Sequence, residues 1–156
     1  MRGKQAPKRQ LKGDPKFHDT QIAKFINYVM ERGKKSTATR IVYTALEKAG
    51  EESKKPPLEV FTLALKNTAP LLEVRSRRVG GANYQIPFPV RPERRLFLAA
   101  NWIIDAANGR KGKPMAEKLA QEFLDAAKGE GAAIKKRADV HRMAEANRAF
   151  AHFAKY

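Results

Sequence analysis

From residue 19 onward, apolar residues recur mostly three and four positions apart, the spacing that lines one face of an α-helix. Ile22, Phe25, Ile26, Val29 and Met30 form the first stripe. Asp19 suits its N-cap, Gly33 its stop, and Lys34 and Lys35 the carbonyl end of its dipole. Ala38, Ile41, Val42, Ala45, Leu46 and Ala49 form a second helix capped by Ser36, and a polar loop runs from Gly50 to Pro57. A third helix buries Leu58, Phe61, Ala64 and Leu65, with Val60 at the margin, and Pro70 ends it. Beyond residue 91 the helical spacing resumes. Pro92 opens a fourth helix lined by Leu96, Ala99, Ala100, Ile103, Ile104 and Ala107, with Trp102 at the edge of the body and Gly109 as stop. Pro114 opens a fifth, with Met115, Ala116, Leu119, Ala120, Phe123 and Ala127 inward, ended by Gly129 and Gly131. A sixth, from about 133 to 148, is polar over much of its face, with Ala138, Met143 and Ala144 as modest anchors.

One stretch breaks the helical period. Leu72 to Arg95 is rich in β-branched, aromatic and alternating residues around Gly80-Gly81, which reads as a β-hairpin. A three-residue loop, Gly80 to Ala82, pairs Val74 with Phe88, Ser76 with Ile86 and Arg78 with Tyr84. A two-residue loop puts Arg75 beside Ile86 and Arg77 beside Tyr84. The first register separates apolar from basic residues better and is the one expected. Pro87 and Pro89 share parity, so their missing N–H groups fall on one edge and block further strand addition. The predicted fold is mainly α: a bundle of about six helices with one protruding two-stranded β-hairpin between helices three and four. Residues 1–18 read as a basic N-terminal arm, 19–150 as a single helical domain carrying the ribbon at 72–91, and 151–156 as a C-terminal tail.

Charge gives this fold a partner. The chain of 156 residues has 32 Lys and Arg against 16 Asp and Glu, a net charge of +16. Such a chain repels itself, which a phosphate-rich partner relieves. There is no cysteine, which excludes disulfides and zinc fingers and fits a reducing compartment. No apolar run approaches a membrane span, and the N-terminus lacks an apolar signal core. A cytoplasmic protein is therefore expected. Catalysis is not: His18, His141 and His152 lack ligand spacing, no phosphate-binding loop is present, and no nucleophile sits beside a base at a readable spacing. No cofactor, metal or small-molecule substrate is expected.

Binding chemistry is dense instead. Arg2, Lys4, Lys8, Arg9, Lys12 and Lys16 lie in the arm. Arg75, Arg77 and Arg78 lie on the ribbon, with Arg91, Arg94 and Arg95 at its foot. Arg110, Lys111 and Lys113 share a loop, and Lys135, Lys136, Arg137 and Arg142 a helix. Arginine forks onto phosphate and stacks on bases. Several separated patches suit a folded RNA, while basic ribbons also bend DNA through the minor groove. Residue chemistry alone leaves both open, the second as a nucleoid-type DNA architectural protein.

The segments RRVGGANYQIPFPVRPERR (77–95) and KKRADVHRMAEANRAFAH (135–152), Gly33-Lys34-Lys35 with Ile41-Val42-Tyr43, and Asp14-Pro15-Lys16-Phe17 resemble the bacterial-type small-subunit ribosomal protein seven family. The two ends, MRGKQAPKR and FAHFAKY, depart from its pattern. The resemblance implies six helices and a β-ribbon. It implies binding to the three-prime major domain of small-subunit ribosomal RNA and nucleation of the subunit head. It further implies a ribbon facing the exit-site tRNA and the messenger channel, and contacts with neighbouring head and platform proteins. By position, rRNA binding falls to the basic residues named above, Lys34 and Lys35 included. The tRNA- and messenger-facing role falls to the tip: Val79, Gly80, Gly81, Ala82, Asn83 and Tyr84.

Overall fold

Three phenylalanine rings mark where the helices meet. Phe25 on α1 (Thr20–Val29), Phe61 on α3 (Pro57–Thr68) and Phe123 on α5 (Met115–Lys128) are all buried. Their centroids lie 5.5, 5.5 and 5.8 Å apart, mostly edge to face. Such pairs add about 0.5–1.5 kcal/mol each beyond the area they bury. Around them, α2 (Lys35–Ser53) packs on α3 and α5, and α4 (Pro92–Gly109) packs on α5 and α6 (Ala132–Ala146). The strands β1 (Leu72–Val79) and β2 (Ala82–Pro89) form an antiparallel ribbon between α3 and α4, the predicted architecture. The structure is a computed structural model that describes residue 3, residue 6 and residues 11–155, the side chains of 154 and 155 excepted. Arg2, Lys4, Lys8 and Arg9 lie outside the described residues.

Local chemistry explains most boundaries. Asp19 caps α1 as predicted: its Oδ1 accepts from the N–H groups of Gln21 (2.5 Å) and Ile22 (3.3 Å). The α2 cap is Lys34 and not Ser36, because Arg32 and Gly33 both take positive φ and close the turn before Ser36 is reached. Gly50 does not end α2. The helix continues to Ser53, and Lys54 in the left-handed region closes it. A Cβ on Gly50 would stand 2.9 Å from Cγ of Pro57, so glycine there lets α2 approach the start of α3. On α3 the inward face is turned: Val60 is buried, and Leu58 is 36% exposed.

The sixth helix differs most from its predicted face. Ala133, Ile134, Val140 and Ala144 are buried, whereas Ala138 and Met143 are exposed. Two positions on the inward side are polar. His141 Nε2 accepts from the Leu71 N–H (3.0 Å), and Arg137 donates to the Asn67 carbonyl. A search for apolar spacing discards those positions and slides the stripe around the helix.

Both ends of the chain are tied to the body, one from Asp14 onward and the other along Arg148–Lys155. Asp14 is buried; its Oδ2 accepts from the N–H groups of Lys16 and Phe17, each at 3.1 Å, and its Oδ1 from the Tyr43 hydroxyl at 2.6 Å. The predicted arm is thus tied to α2 from Asp14 onward. At the other end, the expected tail is a 3₁₀ helix, Arg148–Lys155, packed on β2. The Tyr84 ring lies 5.1 Å from Phe150 and 5.4 Å from Phe153, so the protruding ribbon packs on the C-terminal helix along β2.

The ribbon register is also corrected. Val79 pairs with Ala82, which leaves a two-residue loop, Gly80-Gly81, and sets Arg75 opposite Ile86 and Arg77 opposite Tyr84. Both glycines have positive φ, +57° and +91°, the geometry of a type I′ turn whose twist matches the strands. Mixing arginine with apolar residues on one face costs little, because the arginine stem is itself apolar. The Arg75 guanidinium lies 5.6 Å from the Phe88 centroid.

Candidate nucleic-acid interface

The foot of the ribbon is where the structure gathers sequence-distant arginines. β2 leads through Val90 into Arg91, the N-cap of α4, and Pro92 starts that helix with a fixed φ. Arg94 and Arg95 therefore leave the first helical turn, while Arg75 arrives from β1. Arg75, Phe88, Pro89, Val90, Arg91 and Arg94 line one open groove of about 580 Å³. That is within the roughly 300–1,000 Å³ of small-ligand sites.

An acid organises this groove. Glu73 is 7% exposed and shares a ribbon face with Arg75 and Phe88. One carboxylate oxygen accepts from a terminal amino group of Arg75, the other from Nε of Arg94 at 3.3 Å. Each guanidinium also lies over a ring: Arg75 over Phe88, and Arg94 over Phe97 at 5.0 Å. Arg95 is half-buried, and its Nε is sealed from solvent without a hydrogen-bond partner. It lines a second groove of about 330 Å³ together with Lys66, a cation the sequence reading passed over.

The other basic positions divide into solvent-facing and engaged groups. Lys12, Lys34, Lys35, Arg78, Lys111, Lys113, Lys135 and Lys136 are exposed. Lys34 lines a groove of about 400 Å³ together with Lys118, another cation not singled out from sequence. Lys16 is paired with Glu47 and lies near the Phe17 and Tyr43 rings. Arg142 is exposed beside Asp139 at 3.3 Å. Arg137 is spent on the Asn67 carbonyl, and Arg77 donates to the Phe153 carbonyl at 3.3 Å. His141 is held below its ordinary range by burial and by the nearby charge of Arg137.

Arg110 is the predicted contact most committed to the fold. Its Nε and a terminal amino group reach Glu122 Oε2 at 3.1 and 2.5 Å, and the same amino group reaches Asp125 at 2.5 Å. Burial alone would lower its pKa, but the two carboxylates outweigh that and raise it. Glu122 is fully buried, and its other oxygen accepts from the Ala133 N–H at 3.1 Å, so it caps α6. Apolar spacing on α5 points straight at position 122, but a glutamate there carries no hydrophobic signal.

At the tip, Gly80 and Gly81 have open space where a side chain would stand, and Ala82 and Asn83 are exposed. Tyr84 is half-buried against the C-terminal 3₁₀ helix, and Val79 is half-buried as well. Among the described residues, no group of His, Cys, Asp and Glu could hold a metal ion, and no helix is long and apolar enough to cross a membrane. What the exposed groups can do together is bind anions, through forked guanidinium contacts backed by aromatic faces.

Comparison with known proteins gives the same direction. The family model described as ribosomal protein S7p/S5e matches residues 1–148. The small ribosomal subunit protein uS7 of Chromohalobacter salexigens is 57% identical over 152 residues, 97% of each chain. That of Pseudomonas fluorescens is 59% identical over 148 residues, 95% of each chain. That of Methylibium petroleiphilum is 53% identical over 152 residues, again 97% of each. At such similarity along nearly its whole length, the chain belongs to the ribosomal protein S7p/S5e family, whose members are structural, non-enzymatic components of the small ribosomal subunit.

Proposed function

We propose that this protein docks on the three-prime major domain of small-subunit ribosomal RNA and nucleates assembly of the subunit head in the cytoplasm. The foot of the ribbon and the exposed cations of α2, α6 and the 110–113 loop carry the RNA contacts. The tip, from Val79 to Tyr84, faces the exit-site tRNA and the messenger channel, and neighbouring head and platform proteins pack alongside. The observation that supports this reading best is the foot groove, where Arg75, Arg91 and Arg94 converge from a strand and a helix start. Guanidiniums converging from different elements suit a folded RNA better than a single straight duplex groove.

The test is binding to a transcript of the three-prime major domain, against duplex DNA as competitor, across a salt series. The affinity should fall steeply, with a log–log slope of about 0.7–0.9 per phosphate contacted. Replacing Arg91, Arg94 and Arg95 by alanine should weaken RNA binding and flatten that slope. Removing Val79 to Tyr84 should spare RNA binding while altering tRNA retention and frame maintenance on assembled subunits. Preference for duplex DNA over the transcript would favour the architectural DNA reading and defeat this one.

A further inference from the structure

Acids on a phosphate-binding face ordinarily weaken binding by repulsion. Glu73 stands at the centre of the foot and is placed to do the opposite. Its carboxylate bonds a guanidinium from β1 and another from α4 at once, and its side chain is only 9% exposed. The contact to Arg94 takes its Nε and not its two terminal amino groups; the contact to Arg75 takes one terminal amino group. Phe88 and Phe97 back the two guanidinium planes. Free arginine side chains lose rotamer freedom when they dock, and each one immobilised weakens binding. Here both side chains are already held by a bond to Glu73 and a ring contact before any phosphate arrives.

We infer that Glu73 is a positioning residue that locks Arg75 and Arg94 into one pre-formed clamp for a backbone phosphate of RNA. The inference rests on the RNA-docking role proposed for the foot. Glu73 touches no phosphate itself. It acts by holding two cations at a fixed separation across the strand–helix junction, so that both meet the same phosphate without rearrangement.

The experiment measures affinity for the three-prime major domain transcript at fixed salt, and its salt slope. It uses Glu73→Gln, the double variant Arg75→Ala with Arg94→Ala, and the triple combination. Glu73→Gln adds one unit of positive charge, so simple electrostatics expects tighter binding. The clamp expects about ten-fold weaker binding, the loss from freeing two ordered side chains, with the slope unchanged. In the triple variant the Glu73 change should have no weakening effect, because its two clients are gone. Tighter or equal binding by Glu73→Gln overturns the inference. So does weakening that persists in the triple variant, since Glu73 would then act elsewhere. If the double arginine variant binds RNA as well as the parent, the docking role of the foot fails, and the clamp with it. Should Glu73→Gln not fold, Arg94→Lys replaces it. Lysine keeps the charge but loses the Nε–H bond and the stacked plane, so it should bind about ten-fold more weakly. Parent-like affinity of Arg94→Lys overturns the clamp.

Discussion

Replacing Glu122 by alanine should destabilise the helical body by about 4 kcal/mol, within the roughly 3–5 kcal/mol range for removing one partner of a buried ion pair. The figure follows from three losses at one site. Arg110 loses two of its three contacts, at 3.1 and 2.5 Å, and keeps only Asp125. The Ala133 N–H at the start of α6 loses its acceptor, a change of about 1–3 kcal/mol for a buried donor. A fully buried side chain is also truncated to a methyl group, which leaves a cavity. Asp125 remains beside Arg110, which keeps the total below the simple sum. Urea unfolding is the assay: the midpoint should move down with the slope unchanged. Glu122→Gln keeps the volume and an acceptor for Ala133, so it should lose less, about 1.5–3 kcal/mol, the scale of a hydrogen bond to a charged group. The double variant Arg110→Ala with Glu122→Ala should lose less than the two single losses added, by about 1–3 kcal/mol, because no orphaned cation remains. A Glu122→Ala loss near zero, or strict additivity in the double variant, would refute the reasoning.

Phe25→Ala should cost about 3–5 kcal/mol in the same assay, because it opens a cavity at the junction of α1, α3 and α5; a loss below that of an ordinary surface change would remove the ring cluster as the centre of the core. Tyr84→Ala should leave the main melt nearly unchanged but release the 3₁₀ helix Arg148–Lys155, read as faster amide exchange and proteolysis there; unchanged protection would show that Phe150 and Phe153 hold it without the tyrosine. The Tyr43 hydroxyl is pushed up to about 12 from 10.0, by burial first and then by its bond to Asp14, so it stays protonated in the fold where an unfolded tyrosine ionises. Its contribution is whole below the unfolded value and is lost as pH rises towards 12. Urea midpoints taken through that range should fall more steeply for the parent than for Tyr43→Phe.

The helices were legible because burial and apolarity coincide along α1, α4 and most of α5. Where a polar side chain took an inward position, the apolar pattern misled. On α6, Arg137 and His141 face the body to satisfy the Asn67 carbonyl and the Leu71 N–H, and the predicted stripe slid towards Ala138 and Met143. The ribbon failed for a related reason. Separation of basic from apolar residues treats arginine as purely polar, yet Arg75 lies over Phe88 and its partner in the ladder is Ile86. Turn chemistry, two adjacent glycines with positive φ, decided the register instead. The arginines of the foot were visible as a cluster in sequence, but the acid that joins them, Glu73, was not. Its bonds join residues 73, 75 and 94, and the longer of those links depends on where the ribbon meets α4.

A pattern joins Glu73, Glu122 and Asp14. In a chain with net charge +16, the buried charged residues among those described are these three acids, and none is basic. Each one joins segments: Asp14 ties the N-terminal arm to α2, Glu73 the ribbon to α4, and Glu122 the end of α4 to α5 and α6. Cations must reach outward to meet phosphate, so the counter-charges that hold the scaffold together fall inside it. Salt then acts unequally on the two sets. Exposed guanidiniums are screened over about 8–10 Å at moderate ionic strength, whereas buried pairs are screened much less. Raising salt should therefore strip the RNA while the helical body stays folded, so that release and unfolding separate along the same titration.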